Sequence, residues 1–452
     1  MIMKKQKGKY DSRNKLNNLT GSEWLTNSTS VWLSDSINNF LSKKDIKKLV
    51  KLFTKEKTKV GLIGFNLKQA SIANRKIEKK LIKKTDHFDY IIINNPFLKA
   101  KNIEEANELI ITTLNKIIKD KIILKKNKYI TFFIHEQTLE GKNLNISNII
   151  FHTLNDNGFR FKGRVNIVFS NNSLGFLLHF KLIEKEKISP INNNLLFVKN
   201  NITFNRIPHP SVIRSSVKTD TIGKLHPAPF SPSDIQKLIQ IFTKEGETVF
   251  DPFVGVGSTT IASLNSNRKS IGIDLNKDYI KLAFKRAEIK KNDKNHKLIV
   301  GDSLKTIKDL NTFNYCVTSP PYHNILKNKG AGIRHDNSQF RQGVDYYSEE
   351  TRDLGNQATL DEYRKLNQNI MKETYKKLSK KSYTSIVISD FTVDRVEQDI
   401  VGLLISDLEK IGFAYSGLIV LTQNNKAIFP FGYPYDYVIN HVNQYIINFY
   451  KH

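Results

Sequence analysis

A short β-rich run, Glu247-Thr-Val-Phe250, leads into Asp251-Pro-Phe-Val-Gly-Val-Gly-Ser-Thr259, after which Thr260-Ile-Ala-Ser-Leu264 has helical character. A strand, a glycine turn and a helix in that order commit the segment to a βαβ unit. Gly255 and Gly257 permit the tight turn and a close approach of backbone to a ligand, and the start of the helix offers unpaired N–H groups at the same place. A second strand, Ser270-Ile-Gly-Ile273, ends at Asp274, nineteen residues beyond Gly255. A carboxylate at that tip is placed to accept both hydroxyls of a ribose. A third strand, Lys297-Leu-Ile-Val300, runs into Gly301-Asp302-Ser303, where Asp302 or a neighbour would lie beside an adenine ring. Three strand tips thus converge on one nucleoside-sized crevice. A glycine pair after a strand is by itself equally an ordinary turn, so the ordered series carries the reading.

Phe313-Asn-Tyr-Cys-Val-Thr318 reads as a fourth strand and runs straight into Ser319-Pro-Pro-Tyr322. Two consecutive prolines fix φ and remove two N–H donors, so this turn is stiff and presents carbonyls. An exocyclic amine needs acceptors to orient its hydrogens. Ser319 Oγ and the Pro320 carbonyl are suited to supply them, and the Tyr322 ring is suited to stack on an extruded base. Alone, the tetrapeptide is equally a rigid surface turn; its place after the fourth strand favours the functional reading.

On these residues the chain resembles the amino-methyltransferases of DNA, which use S-adenosyl-L-methionine and modify N4 of cytosine or N6 of adenine. The resemblance covers roughly residues 222–452. His226-Pro-Ala-Pro-Phe230 is similar to the family's upstream cofactor motif, which implies that His226 and Phe230 lie near the methionine part. Asp251, Phe253, Gly255, Gly257, Ser258 and Thr259 resemble the main cofactor motif, and Gly272-Ile-Asp274-Leu-Asn276 resembles the ribose motif. Ser319-Pro320-Pro321-Tyr322 is similar to the catalytic tetrapeptide, with the first-position Ser more typical of N4-cytosine enzymes. The run from Tyr433 to Lys451 resembles the family's closing β-hairpin, with Gln444 where an acid is usual, at a position taken to be architectural. The implied fold is an α/β, doubly wound, Rossmann-like methyltransferase sheet in the C-terminal half. The implied activity is site-specific methylation of cytosine N4 in double-stranded DNA, protecting it from a cognate restriction endonuclease without implying contact with that enzyme. Adenine N6, an RNA substrate and a catalytically silent nucleic-acid-binding subunit are the alternatives.

Composition agrees with a polyanionic partner. Lys and Arg number 71 against 43 Asp and Glu, a net charge of +28, although abundant Lys, Asn and Ile also suit an AT-rich genome. The single cysteine, Cys316, rules out a disulfide framework and a Cys-rich zinc site, and it falls inside a strand without a partner base. Methylation through a cysteine nucleophile is therefore not expected, and transfer goes directly to nitrogen. No pair of the scattered histidines has metal-site spacing, so no metal is expected. No apolar run reaches membrane-span length and the lysine-rich first residues lead into no signal core, so the expected location is cytoplasmic.

The expected organisation is an N-terminal α/β domain over residues 1–205 and a catalytic domain over residues 206–452. Phe88-Asp-Tyr-Ile-Ile-Ile-Asn94-Asn-Pro-Phe97 aligns without gaps on Phe313 to Tyr322 at an offset of 225. Lys128 to Ile134 matches Ser382 to Ile388, and Leu154 to Phe159 matches Leu408 to Phe413, both at an offset of 254. The N-terminal half thus reads as a degenerate partial copy covering the back half of the sheet, with no glycine loop, packed beside the active half and holding the duplex. The alternative is chance similarity between αβ segments of one biased composition. The insertion at residues 325–360 carries Lys327, Lys329, Arg334, His335, Asn337, Gln339, Arg341, Gln342, Tyr346 and Tyr347. It is expected either to read DNA bases or to close over the cofactor.

Overall fold

The computed structural model describes residues 10–36, 40–65, 71–78, 87–94, 99–120, 124–135, 137–197, 210–215, 220–226, 231–323, 348, 350–393, 396–423, 426 and 428–452. The chain divides into two compact units. The first comprises residues 1–203, 390–403 and 425–443; the second comprises 204–389, 404–424 and 444–452. A single cut after residue 205 therefore does not separate them, because two later segments group with the first unit.

In chain order the N-terminal elements are α1 (Gly21–Asn27), β1 (Val31–Leu33), α2 (Lys43–Phe53), β2 (Lys59–Ile63), β3 (Ser71–Ile72), β4 (Arg75–Glu78) and β5 (Phe88–Asn94). There follow α3 (Ile103–Asp120), β6 (Leu124–His135), β7 (Gln137–Leu139), β8 (Lys142–Leu144), α4 (Ile146–Asp156), β9 (Phe159–Val168) and β10 (Leu174–Leu182). The chain continues with β11 (Val212–Arg214), α5 (Pro232–Phe242), β12 (Thr248–Asp251), α6 (Ser258–Leu264), β13 (Lys269–Asp274), α7 (Lys277–Ala287), β14 (His296–Val300), α8 (Ser303–Thr306) and β15 (Phe313–Thr318). It ends with α9 (Leu360–Lys377), β16 (Leu378–Ile388), β17 (Phe391–Val393), β18 (Val396–Gln398), α10 (Ile400–Glu409), β19 (Ala414–Thr422) and β20 (Asn443–Lys451).

The second unit holds a sheet in the order β11-β19-β20-β16-β15-β12-β13-β14. The ladders from β14 to β16 are parallel, and β20 lies antiparallel to β16. This is the doubly wound α/β arrangement that the sequence predicts. The chain first runs outward through β12, β13 and β14, then returns to the far side of β12 to lay down β15 and β16. That reversal leaves a crevice at the carboxyl ends of β12 and β15. Helix α5 begins with Pro232 and buries Ile235, Leu238, Ile239 and Phe242 at helical spacing. This stripe packs in one core with Val249, Tyr315 and Val317 of the central strands.

The first unit holds a sheet in the order β1-β9-β10-β6-β5-β2-β4-β3. Strand for strand this repeats the second sheet up to its edge. There β3 forms a tight antiparallel hairpin with β4, whereas β14 runs parallel to β13. The correspondence therefore reaches the front of the sheet, beyond the back half expected from sequence. Specific polar contacts repeat too. Arg75 Nε and Nη2 donate to Thr54 Oγ1 (3.0 Å) and its carbonyl (2.8 Å), and Arg268 does the same to Thr243 at 3.1 and 2.7 Å. Ser34 Oγ donates to Asp45 and Ser215 Oγ to Asp234, each at 2.6 Å. Tyr90 meets Thr131 at 2.6 Å, as Tyr315 meets Ser385 at 2.7 Å. The core of the first unit centres on Phe53, whose ring lies 4.8–5.0 Å from those of Tyr90, Tyr129, His179 and Tyr437.

The closing hairpin differs from expectation. Only Asn443–Lys451 forms a strand of the second sheet, while Tyr433 to His441 belongs to the first unit. No helix among the described residues is long and apolar enough to cross a membrane.

Gly158, between α4 and β9, holds φ at +82°, and a Cβ there would lie 2.0 Å from the Glu184 carbonyl oxygen. Gly158→Ala is expected to destabilise the first unit by roughly 3 kcal/mol, measured as an earlier denaturant midpoint with the second unit's transition unmoved.

Candidate functional site

The crevice of the second sheet contains a cavity of about 400 Å³, within the range of small-molecule sites. It is lined by His226, Pro252, Phe253, Asp274, Leu275, Tyr279, Asp302, Ser303, Leu304, Ser319, Pro320, Pro321, Leu366 and Ile370, together with Thr351 to Leu354 and Gln357. The tips of three successive strands, β13, β14 and β15, thus bring Asp274, Asp302 and Ser319 to one space.

Asp251, at the end of β12, lies beneath this cavity and is 1% exposed. One carboxylate oxygen accepts from Thr259 Oγ1 at 2.5 Å; the other accepts from Thr318 Oγ1 at 2.6 Å and from the Phe253 N–H at 3.0 Å. A single buried carboxylate therefore ties the glycine turn, helix α6 and the last residue of β15 together. Burial pushes its pKa up to about 6, against the pull of those hydrogen bonds. Thr259, Ser258 and Gly257 likewise sit outside the cavity wall. Gly257, at φ +85°, packs on Ala283 of α7, and Ser258 Oγ accepts from Arg286 at 2.9 Å. These residues build the floor and do not face the space above it.

Asp274 does face it. Its two oxygens accept from the N–H groups of Gly255 (2.8 Å) and Asn276 (2.9 Å), and each oxygen retains capacity for a further donor. Burial, with Asp353 and Asp251 adding like charge, pushes its pKa up to about 7. Gly255 holds φ at +50°, and a Cβ there would press on the His226 ring at 3.1 Å. The His226 ring in turn lies 4.9 Å from that of Tyr279 on the first turn of α7. Asp302 caps α8 by accepting from the Leu304 N–H at 3.0 Å, and its other oxygen pairs with Arg352 at 3.3 Å.

The turn after β15 presents Ser319, Pro320 and Pro321 to the cavity. Tyr322 is 7% exposed, is absent from the cavity wall, and accepts a hydrogen bond from Gln444 Nε2 at 3.1 Å. His323 is buried behind it against Tyr363 and bonds the Gln357 carbonyl at 3.0 Å. Phe230 and every residue named in the insertion from Lys327 to Tyr347 lie outside the described residues. Cys316 is buried, and burial pushes its thiol up. Asp390 is buried in the first unit and accepts from the Val401 N–H at the start of α10. Among the described residues no group of three or more His, Cys, Asp or Glu is placed to hold a metal ion.

Sequence reasoning missed Thr318 and Tyr279, whereas the wall from Thr351 to Gln357 falls within the insertion at 325–360, for which closure over the cofactor is one of the two expectations. Thr318 was readable as a hydroxyl at a strand end facing an acid. Residues 351–357 carry no periodicity or motif, and only the fold brings them to the cavity.

The model of a family described as DNA methylase matches residues 3–285. The chain belongs to this family. The family match stops short of the Ser319 turn, which rests on the geometry above. Among curated relatives, the type II methyltransferase M2.DpnII of Streptococcus pneumoniae is 41% identical over 63 residues, 14% of this chain and 24% of that protein. The orphan methyltransferase M.BamHII of Bacillus amyloliquefaciens is 34% identical over 110 residues, 24% of this chain and 40% of its own length. The chain thus spans less than half the length of these family relatives. Among solved structures, TrmN from Thermus thermophilus is 13% identical with a TM-score of 0.32, over 64% of this chain and 59% of that one.

Thr318→Val removes a hydrogen bond to a buried carboxylate and is expected to destabilise the second unit by about 2 kcal/mol at pH 8, where Asp251 is ionised. At pH 5, below its folded value of about 6, Asp251 is protonated and the loss shrinks. Denaturant titrations at the two pH values check this.

Proposed function

We propose that this chain transfers a methyl group from S-adenosyl-L-methionine to the exocyclic N4 amine of cytosine in double-stranded DNA. The observation that carries the reading is the opening of Asp274, Asp302, Ser319 and Pro320 onto one cavity. The residues present fit the nucleoside half of that cofactor. Asp274 keeps an acceptor site on each oxygen for a ribose hydroxyl, the backbone at Gly255 and Gly272 leaves no room for side chains, and Asp302 stands at the adenine end. When bound, the cofactor supplies an electrophilic methyl on a cationic sulfur.

The chain's part is to bind, orient and keep water out. Ser319 Oγ and the Pro320 carbonyl accept the two amine hydrogens, which turns the nitrogen lone pair towards the methyl carbon. With the cofactor bound, attack through that lone pair would form the N–C bond as the S–C bond breaks, leaving a neutral thioether, and the surplus proton on nitrogen would pass to solvent. No strong base is needed, because the proton leaves after attack. Ser at position 319 supports cytosine over adenine. The type II methyltransferases among the relatives support a role in protecting host DNA from a restriction endonuclease. We read the first unit as a second, degenerate copy of the same sheet that does not itself transfer methyl groups. The Asn94 side chain, which takes the place of Ser319, donates to the Gly64 carbonyl at 2.9 Å and closes the tips of β2 and β5 on each other.

Incubation with S-adenosyl-L-methionine and unmethylated DNA, followed by digestion and mass analysis of nucleosides, is expected to give N4-methyldeoxycytidine. N6-methyldeoxyadenosine would overturn the base, and the absence of any methylated deoxynucleoside would overturn the reading. Ser319→Ala is expected to lose transfer, and Asn94→Ala to keep it.

Cofactor binding carries a pH signature. The ribose hydroxyls need an ionised Asp274, whose folded value is about 7. Calorimetric affinity is therefore expected to hold above pH 7.5 and to fall towards about tenfold per pH unit below pH 7. Asp274→Asn is expected to bind weakly with a flat profile.

A further inference from the structure

The strongest contact to the catalytic turn that the reading above leaves unused comes from the last strand. Because β20 runs antiparallel to β16, its first residues stand at the carboxyl end of the sheet, the end from which the Ser319 turn departs. Gln444 is the residue this topology delivers there. Its Nε2 donates to Tyr322 Oη at 3.1 Å, and its Oε1 accepts from Gln423 Nε2 at 3.0 Å, Gln423 following directly on β19. The second bond fixes which way the Gln444 amide points. Two amides thus form a directed relay from the ends of β19 and β20 to the ring that closes the Ser-Pro-Pro-Tyr turn.

Tyr322 itself is 7% exposed and absent from the cavity wall. It therefore acts on the turn from behind. The two prolines stiffen the turn internally, but a stiff turn still pivots as a body unless its far end is held. Thr318, bonded to Asp251, holds one end of the turn; the Tyr322–Gln444 bond holds the other.

We infer that Gln444 is a positioning residue for methyl transfer. By anchoring Tyr322 it sets the direction of Ser319 Oγ and the Pro320 carbonyl, on the reading that these hold the target amine. The requirement is for a polar group reaching Tyr322 Oη, whichever partner donates. A glutamate at this position accepts from the Tyr322 hydroxyl and still accepts from Gln423. A leucine fills the same volume and does neither.

The test compares wild type, Gln444→Leu and Gln444→Glu by single-turnover methyl transfer and, separately, by calorimetric binding of S-adenosyl-L-methionine. Gln444→Leu is expected to slow transfer by about tenfold or more, since small misplacements of reacting groups carry large rate penalties. Its cofactor affinity is expected to stay within about twofold of wild type, which also reports a folded site. Gln444→Glu is expected to recover most of the rate. Equal rates in wild type and Gln444→Leu overturn the inference, as do equal losses in both variants or a parallel loss of cofactor affinity. A wild-type protein that binds cofactor but transfers no methyl to DNA overturns the functional reading, and this inference with it.

Discussion

The cavity depends on one buried carboxylate. Asp251 reaches Thr259 at the start of α6 and Thr318 at the end of β15, and it accepts the N–H of Phe253 in its own turn. The glycine turn and the Ser-Pro-Pro-Tyr turn lie far apart in the chain, and only the second is stiffened by its own composition. Their mutual distance is another matter, set by pairing of β12 with β15 and then locked at the tip by this acid. Taking such a group out of water is costly, which is why its pKa rises to about 6 despite three hydrogen bonds. That cost is tolerable because the tie holds two turns that must face one ligand.

The first unit shows what the same sheet becomes without that arrangement. Its strand order repeats, its Arg75–Thr54 and Ser34–Asp45 contacts repeat, and its central tyrosine–hydroxyl pair repeats. What changes is the stretch after the first central strand. In the second unit a glycine turn and helix α6 lead from β12 to β13. In the first, residues 64–74 cover the same step from β2 to β4 with the hairpin β3 as the described regular element. Among the described residues no helix stands between β2 and β3, and the Asn94 side chain bonds the Gly64 carbonyl. Architecture and site are thus separable here. The polar contacts that hold strands and helices in place persist in both units.

Much of this was legible in the chain. The strand, glycine turn and helix at residues 247–264 appear as β12 and α6 within a residue or two, because glycine spacing and apolar runs act locally. Asp274 and Asp302 fall at strand tips for the same reason. Two things were not legible. Sequence assigned Asp251, Gly257, Ser258 and Thr259 to the cofactor, and none of them is in the cavity wall; a motif records which residues are needed without saying which way they point. The Gln444 contact depends on strand β20 running back antiparallel to β16, a long-range pairing that no local period encodes. The repeat was visible only where both copies keep apolar strands. Its front half rests on polar pairs such as Thr54 with Arg75, which are too sparse to stand out as sequence similarity.

Charge divides the work between surface and cavity. The chain carries +28 overall, a charge suited to a polyanionic partner. The cavity reverses the sign. Its titratable lining includes Asp274, Asp302 and Asp353, with Arg352 already paired to Asp302 and Glu350. Burial raises both Asp274 and Asp353, so the lining carries carboxylates whose charge lacks solvent. A cationic ligand offsets that charge and a neutral one does not. On the proposed reading the cofactor enters with a positive sulfur and leaves as a neutral thioether. The same acids that favour its binding would then favour its exchange after transfer.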